Sequence, residues 1–200
     1  MKNRWDERYS KEEFVYGITP NKFYAEEIEK LTPGKILFLG EGEGRNSVYA
    51  AEKGWSVDAY DYSSVAREKA LRLAHTRGVE INYIVEDLDI LSLTERIYDA
   101  AVLIFLHLPE ELRLKTHQNV IKSLKPGGKV IIEAFEKEQI KNNSGGPRDL
   151  ELLYSMEDLF SDFQNFDLLK LEKVNSLLDE GNLHKGSATT VRIIAQKPTK

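Results

Sequence analysis

Three glycines at alternate positions, Gly40, Gly42 and Gly44, follow directly on an apolar run at residues 35–39. The run predicts a buried strand, and the apolar pattern that begins at Val48 predicts a helix. Because glycine has no Cβ, it adopts positive φ readily and lets a ligand lie against the backbone. A strand, a glycine-rich turn and a helix N-terminus together form a place where a nucleotide-like cofactor can bind.

Two carboxylates follow the next two predicted strands. Asp61 lies 21 residues after Gly40, where its carboxylate can accept hydrogen bonds from two vicinal ribose hydroxyls; alternatively it is a surface acid in a strand–helix turn. Asp87 can accept a hydrogen bond from the exocyclic amine of an adenine ring, or serve as a loop acid or helix cap. Because strand ends line the ligand crevice of an open α/β sheet, the joint pattern favours an adenosine site.

The elements that must position these residues alternate along the chain. Strands are predicted at 36–39, 55–60, 81–85, 98–105 and 129–135. Helices are predicted at 21–31, 46–53, 63–76 and 109–124. This alternation indicates a parallel sheet with helices on both faces.

The end of the chain follows a different pattern. A short helix is predicted at 156–160, followed by two strands at 167–175 and 187–196. Asp179-Glu180-Gly181-Asn182 lies between these strands, which predicts an antiparallel hairpin. Earlier in the chain, Lys125-Pro126-Gly127-Gly128 predicts a turn before the fifth strand.

Two segments lie outside this regular pattern. Residues 1–20 mix polar and aromatic side chains, and we expect an irregular N-terminal arm that either packs on the domain or acts as a lid over the site. Residues 136–154 are polar and predict an irregular insertion near a substrate pocket. The whole chain, residues 1–200, is expected to form a single domain.

Composition excludes several classes of function. The net charge of −5 argues against a protein that binds nucleic acid through its phosphates. The chain has no cysteine, so it has no disulfide, no thiolate metal site and no cysteine nucleophile. Its four histidines show no metal-ligand spacing, and we predict no metal. Without a secretory pattern or an apolar run of about 20 residues, a cytoplasmic protein with no membrane contact is expected.

The motifs resemble those of the class I S-adenosylmethionine-dependent methyltransferases over residues 21–197. The shared motifs are Gly40-Glu41-Gly42-Glu43-Gly44, Asp61, Glu86-Asp87-Leu88, Tyr98-Asp99 and Lys125-Pro126-Gly127-Gly128. Within that family, Gly42-Glu43-Gly44-Arg45-Asn46, His107-Leu108-Pro109 and Gly145-Gly146-Pro147 look most like the tellurite-resistance and thiopurine-methyltransferase-like branch.

The resemblance implies a fold, a cofactor and a reaction. The fold is a Rossmann-like α/β architecture with a seven-stranded, mostly parallel sheet, helices on both faces and a C-terminal antiparallel hairpin. The cofactor is S-adenosyl-L-methionine, and the reaction (EC 2.1.1.-) is methyl transfer to a small-molecule acceptor by direct in-line displacement. The implied cofactor-binding residues are Gly40, Glu41, Gly42, Gly44, Asn46, Asp61, Tyr62, Asp87, Leu88, Phe105, Tyr16 and Asn21.

The chain departs from the family pattern at two positions. Many relatives carry an acid where Phe38 stands and a small residue or cysteine where Glu41 stands. Glu41 can therefore replace the usual contact to the amino group of the cofactor.

On the acceptor side, His107 follows a buried strand and can take a proton near neutral pH; alternatively it caps the next helix or bonds a backbone carbonyl. We predict substrate contacts at Tyr9, His107 and Arg148, with Arg148 holding an anionic group or remaining solvated. Phe105 packs beside the adenine or the sulfonium, or belongs to the core.

Two other functions remain open. A non-catalytic cofactor-binding sensor or partner module fits the lack of an obvious base. A nicotinamide oxidoreductase is the weaker interpretation, because the glycine spacing differs from Gly-x-Gly-x-x-Gly. The segment 105–108 lacks the Asn/Asp-Pro-Pro-aromatic motif of relatives that methylate DNA amines, so a nucleic-acid substrate is not expected.

Overall fold

A computed structural model of the chain describes residues 2–181 and 183–200. Its centre is a seven-stranded sheet with the order β3-β2-β1-β4-β5-β7-β6. The strands are β1 Lys35–Leu39, β2 Ser56–Asp61, β3 Asn82–Val85, β4 Tyr98–Ile104, β5 Leu124–Phe135, β6 Asp167–Asp179 and β7 Lys185–Gln196. The helices are α1 Lys2–Tyr9, α2 Lys22–Ile28, α3 Arg45–Glu52, α4 Ser64–Thr76, α5 Glu110–Ser123 and α6 Met156–Asp162.

The first five strands are parallel, and the last two are antiparallel to their neighbours. Strands β1 to β5 therefore end at one edge of the sheet, which we call the carboxyl edge. The turn between β6 and β7 lies at the same edge because β7 runs in the opposite direction. The predicted α/β fold with a closing hairpin is confirmed, and the hairpin strands are longer than predicted. Asn182, in the predicted turn, lies outside the described residues.

The side chains of β1 alternate between the two faces of the sheet. Ile36 and Phe38 belong to a core with α2, α3 and α4, whereas Leu37 and Leu39 belong to a core with α5 and α6. Phe38 is 1% exposed, and its ring meets Tyr24 edge-on at 5.7 Å. The position at which many relatives carry an acid is therefore part of the apolar core here.

Two sequence predictions need correction. The arm is not wholly irregular, because its residues from Lys2 to Tyr9 form α1. The segment Lys125-Pro126-Gly127-Gly128 does not separate a helix from a strand. It lies inside β5, where the pairing with β4 shifts between Tyr98 and Ala100. Pro126 and Gly127 are tolerated there because a bulge does not require a regular hydrogen-bond ladder.

The insertion contains two short 3₁₀ helices, Lys137–Lys141 and Leu150–Leu152, joined by irregular backbone. Among the described helices, none has the length and apolar character to cross a membrane.

Candidate functional site

The glycine turn is tightly packed. Gly40, Gly42 and Gly44 have φ values of +64°, +63° and +90°. A Cβ on Gly44 would lie 2.6 Å from the Cβ of Ala70, so this glycine lets α3 approach α4. A Cβ on Gly40 would lie 2.6 Å from Leu106, which follows β4. The glycines are therefore required both by their backbone conformation and by the space around them.

Asp61 ends β2 beside this turn. Its Oδ2 accepts a hydrogen bond from the N–H of Gly42 at 3.0 Å, and its Oδ1 accepts one from the N–H of Ser63 at 2.9 Å. The residue is buried, and desolvation raises the pKa of its carboxyl to about 6. The backbone N–H groups of Ser63, Gly42 and Tyr62 oppose this rise in pKa and hold the carboxylate in place beside the glycine turn.

Glu41 lies inside the glycine turn and caps α3. Its Oε1 accepts hydrogen bonds from the N–H groups of Asn46 at 3.1 Å and Ser47 at 2.7 Å. Burial raises the pKa of this carboxyl to about 7, in spite of these bonds. Asn46, a predicted cofactor residue, uses its Oδ1 to accept the N–H of Asn21 at 2.9 Å.

Glu43 and Lys69 form a buried ion pair that holds the arm. The Oε2 of Glu43 accepts the N–H of Val15 at 2.8 Å. The ammonium of Lys69 donates to the carbonyls of Lys11 at 2.8 Å and Glu13 at 2.6 Å. We call these contacts the arm clamp. The second glutamate of the glycine motif therefore binds the chain's own arm.

The arm lies directly against the glycine turn. Tyr9 is 5% exposed, and a Cβ on Gly42 would lie 2.8 Å from its hydroxyl oxygen. In α1, Asp6 accepts a hydrogen bond from the hydroxyl of Ser63 at 2.5 Å. Tyr9, predicted to contact substrate, therefore lies on the cofactor side of the crevice.

The adenine-side motif is more open. Asp87 is exposed, and its Oδ1 accepts the N–H of Asp89 at 3.0 Å. Leu88 is 8% exposed and packs in the core on the α5 side. Tyr62 is half-buried directly after Asp61. An exposed carboxylate beside a buried leucine leaves Asp87 accessible to a ligand amine.

Aromatic rings gather where β4 and β5 end. Phe105 has a φ of +54°, which is strained for a bulky residue, and its ring stacks on Phe135 at 4.6 Å. His184, from the β6–β7 turn, meets Phe105 edge-on at 4.6 Å and Phe135 at 5.3 Å. Tyr16 of the arm packs on His184, also at 4.6 Å. We call Tyr16, Phe105, Phe135 and His184 the aromatic cluster.

His107 is bonded to the backbone through both ring nitrogens. Its Nδ1 lies 2.7 Å from the carbonyl oxygen of Leu152, and its Nε2 accepts the N–H of Phe135 at 3.3 Å. Burial lowers the pKa of its imidazole to about 4. This geometry favours the alternative in which His107 bonds a backbone carbonyl over the predicted catalytic and substrate-binding roles.

Two further predicted residues are held by the protein itself. Asn21 caps α2, because its Oδ1 accepts the N–H of Tyr24 at 2.8 Å. The hydrogen bonds of Arg148 end on Ile140, Asn142 and Asn143, all within the insertion. Tyr16, in contrast, lies in the aromatic cluster, and its hydroxyl accepts a bond from Arg8 at 2.8 Å.

A polar network next to the aromatic cluster contains Asn21, which was predicted, and two glutamates, Glu180 and Glu133, which were not. Glu180 lies in the β6–β7 turn and accepts Arg45 Nη2 at 2.8 Å and Asn21 Nδ2 at 3.0 Å. Asn21 Nδ2 also donates to Glu133, near the end of β5, at 2.7 Å. The partners of Glu180, Arg45 and Asn21, lie 135 and 159 positions away in the sequence, so no local pattern predicts these contacts. The nearest feature in the sequence is His184, which lies between Gly181 and Gly186, and that pattern predicts a hairpin-turn residue rather than a ligand.

These residues fit a bound S-adenosyl-L-methionine. The positive-φ glycines leave alternate positions of the turn after β1 without a side chain, and a buried carboxylate at the end of β2 lies beside this turn. Asp61 is suited to the ribose hydroxyls, Glu41 to the ammonium of the methionine end, and Asp87 to the adenine amine. Within the described ranges, no three acidic or histidine side chains gather closely enough to hold a metal ion.

Comparisons with known proteins bear on this site. Residues 36–128 match the family model of a methyltransferase domain. A 2-heptyl-1-hydroxyquinolin-4(1H)-one methyltransferase of Mycobacteroides abscessus is 26% identical over 117 residues, which cover 57% of this chain and 52% of the relative. The chain thus spans about half the length of the curated relative that it matches.

Solved structures show the same fold over most of the chain. A SAM-dependent methyltransferase from Methanosarcina mazei has a TM-score of 0.67 at 21% identity, covering 88% of this chain and 98% of the other. TehB from Haemophilus influenzae has a TM-score of 0.74 at 17% identity, and the match covers 98% of this chain and 66% of TehB. Residues 36–128 thus match a methyltransferase domain, and the chain shares the fold of solved SAM-dependent methyltransferases over most of its length.

Proposed function

We propose that this protein transfers the methyl group of S-adenosyl-L-methionine to a small-molecule acceptor. The observation that carries the proposal is the convergence of three features at the carboxyl edge. The glycine turn ends β1, buried Asp61 ends β2, and Phe105 follows β4 in a strained conformation. In this proposal, the glycine turn and Asp61 hold the adenosine of the cofactor, and Phe105 lies on the side where the acceptor meets the cofactor.

The cofactor supplies an electrophilic methyl group on a sulfonium, and the protein's task is to align and desolvate the reactants. Asp61 orients the ribose through its two carboxylate oxygens. Glu41, at the N-terminus of α3, receives the ammonium and is held in place by the N–H groups of Asn46 and Ser47. The rings of Phe105 and Phe135 exclude water and present π faces suited to a cation.

The arm acts as the lid of this site in our proposal. Tyr9 covers Gly42, and the arm clamp fixes the following residues over the crevice. Ligand exchange then requires the clamp to open, since Tyr9 fills the space next to the ribose carboxylate. The insertion, residues 136–154, forms another wall, because a Cβ on Gly146 would lie 2.8 Å from the ring of Phe135.

The chemistry of the relative supports a small molecule. The name of the Mycobacteroides enzyme describes a hydroxylated quinolone, which is a planar ring system. The net charge of −5 also supports an acceptor other than nucleic acid. We expect the protein to act in the cytoplasm.

Transfer of a labelled methyl group tests the proposal. Purified protein is incubated with methyl-labelled cofactor and a panel of hydroxyl, thiol and amine acceptors, with Asp61→Ala as the matched negative control. Label in an organic product, formed by the wild type only, supports a methyltransferase. Saturable cofactor binding without transfer to any acceptor would contradict catalysis and favour the sensor alternative, which the backbone bonding of His107 also favours.

A further inference from the structure

We infer that His184, oriented by Glu180, takes the proton from the methyl acceptor, and that this acceptor is a planar ring bearing an ionisable hydroxyl. The inference rests on the proposed methyl transfer and names the substrate class and the base for it. Four observations carry it: the place of the turn, the pairing of His184, the surrounding charges and the shape of the walls.

The β6–β7 turn brings His184 to the carboxyl edge. The residue is 6% exposed, and its ring contacts Phe105, which follows β4 directly. In the insertion, a Cβ on Gly145 would lie 2.7 Å from Cδ2 of His184. His184 therefore lies where the end of β4, the insertion and the arm meet, and these are the parts that wall the acceptor side.

Glu180 pairs with the ring of His184. Its Oε2 lies 3.9 Å from Nδ1, which is longer than a hydrogen bond. Nδ1 is sealed from solvent and has no hydrogen-bond partner among the described residues. A carboxylate beside one imidazole nitrogen orients the ring and stabilises the cation that forms when the other nitrogen takes a proton.

Burial and the charges around His184 favour its neutral imidazole, which is the form that can take up a proton. Burial lowers the pKa of its imidazole, Arg45 and Arg8 lower it further, and Glu180 opposes them. The ring is therefore neutral at pH 7. The titratable and charged groups that face it are Glu180 on its own turn, Arg45 of α3, Arg8 and Tyr16 of the arm, and His107 after β4. His107 does not compete, because both of its ring nitrogens bond the backbone.

Planar aromatic side chains surround His184. Phe105 and Phe135 stack on each other, and the arm places a phenol, Tyr16, against His184 with ring centroids 4.6 Å apart. The hydroxyl of that phenol accepts a hydrogen bond from Arg8. The protein's own side chain thus shows that a hydroxylated ring packs against His184. When the arm opens, an acceptor ring can replace it.

The step balances without another reactant. The acceptor O–H bond breaks, and its proton passes to Nε2 of His184. The oxygen electron pair forms the new bond to the methyl carbon, while the bond from that carbon to sulfur breaks and leaves its electron pair on sulfur. The imidazolium, held by Glu180, then releases the proton to solvent.

The test compares His184→Gln and Glu180→Gln with the control His75→Gln, which changes an exposed histidine on α4. The acceptors are a series of phenols and N-hydroxyquinolones of graded hydroxyl acidity. We expect His184→Gln to lower kcat by about 10²–10⁴-fold, the typical contribution of a general base. The loss of kcat should be greatest for the acceptors with the least acidic hydroxyls. The remaining rate of His184→Gln should rise with pH as the hydroxyl of the acceptor ionises. Affinity for S-adenosylhomocysteine should be unchanged.

A second variant covers the case in which glutamine disturbs the turn. His184→Ala should regain activity on addition of free imidazole, which a structural role would not allow. The inference is wrong if His184→Gln keeps wild-type rates and pH profile, or if imidazole rescues nothing. It is also wrong if a wild type that binds S-adenosylhomocysteine methylates no hydroxylated ring. If the wild type does not bind S-adenosylhomocysteine, the proposed function is contradicted instead.

Discussion

At the residue scale, the proposed cofactor site depends on two carboxylates, half-buried Glu41 and buried Asp61. Neither forms a salt bridge with a described residue, and burial raises the pKa of each carboxyl, to about 7 and about 6. A carboxylate in such a place is costly unless a ligand supplies donors or positive charge. In the proposed complex, the ribose hydroxyls and the ammonium of the cofactor would supply both.

Removing the ribose carboxylate should weaken cofactor binding. We predict that Asp61→Ala costs about 1–3 kcal/mol of binding free energy for S-adenosylhomocysteine, the usual penalty for hydrogen bonds lost to a charged group. Titration calorimetry measures it, with thermal unfolding as the check on folding. The matched control is Asp167→Ala, an exposed acid at the start of β6 on the opposite edge of the sheet. Equal affinity in both variants would reject the ribose assignment.

The raised pKa of Glu41 makes stability depend on pH. Between the ordinary glutamate pKa and about 7, the folded protein holds a proton that the unfolded chain releases, so the stabilisation contributed by the protonated form is lost as pH rises through that window. A glutamine side chain at this position would keep an acceptor for the N–H groups of Asn46 and Ser47 without the charge.

We therefore predict that Glu41→Gln raises the unfolding midpoint of the ligand-free protein at pH 8, and that the difference shrinks toward pH 4.5. Thermal scans across this range measure the effect. A variant that is less stable than the wild type at pH 8 would show that the ionised carboxylate is favourable in the fold.

Whether a site residue could be predicted from the sequence depends on how far along the chain its partners lie. The position of Asp61 beside the glycine turn could be predicted, because it ends a strand at a short interval after the glycines. Glu180 and His184 could not be assigned, because their partners come from the arm, α3 and the end of β4. Only the closing of the hairpin brings these residues together.

At the element scale, the arm and the glycine turn act as one unit. Tyr9, at the end of α1, packs against Gly42, and the arm clamp ties the following residues to the glycine turn and to α4. The strands could be predicted closely because a buried parallel strand needs a continuous apolar run. Helix α1 could not be predicted, because its sequence shows no clear apolar stripe. Tertiary contacts with Ser63 and Gly42 stabilise it instead.

A methyl group on Gly42 should displace the arm. Gly42→Ala places a Cβ 2.8 Å from the Tyr9 hydroxyl, whereas the control Gly78→Ala, with a similar φ of +70°, meets nothing within 4 Å. Both variants should lose roughly 1–2 kcal/mol to the left-handed backbone. Only Gly42→Ala should also speed amide exchange in residues 5–16. Equal exchange in the two variants would show that the arm does not depend on this contact.

At the scale of the whole molecule, Glu133 joins the ends of the chain. It is 1% exposed, and it accepts hydrogen bonds from Asn21 ahead of α2 and from Thr190 and Arg192 on β7. An acid within an apolar strand gave no sign of these partners in the sequence. Its burial is possible because three donors surround it.

Breaking this network should destabilise the entire fold. We predict that Glu133→Ala costs about 3–5 kcal/mol, as removal of one member of a buried pair does. For a domain of this size, the unfolding midpoint should fall by roughly 10 °C. The control Glu172→Ala removes a more exposed acid 3.9 Å from the same Arg192 and should change the midpoint little. Similar midpoints for both variants would contradict the role of Glu133.

The central claim is that the carboxyl edge binds S-adenosyl-L-methionine for methyl transfer. Titration calorimetry of the wild-type protein with S-adenosylhomocysteine, the product of that transfer, tests it most directly. We predict saturable binding at one site per chain, weakened by Asp61→Ala and unaffected by Asp167→Ala. An absence of binding at millimolar ligand would contradict the account.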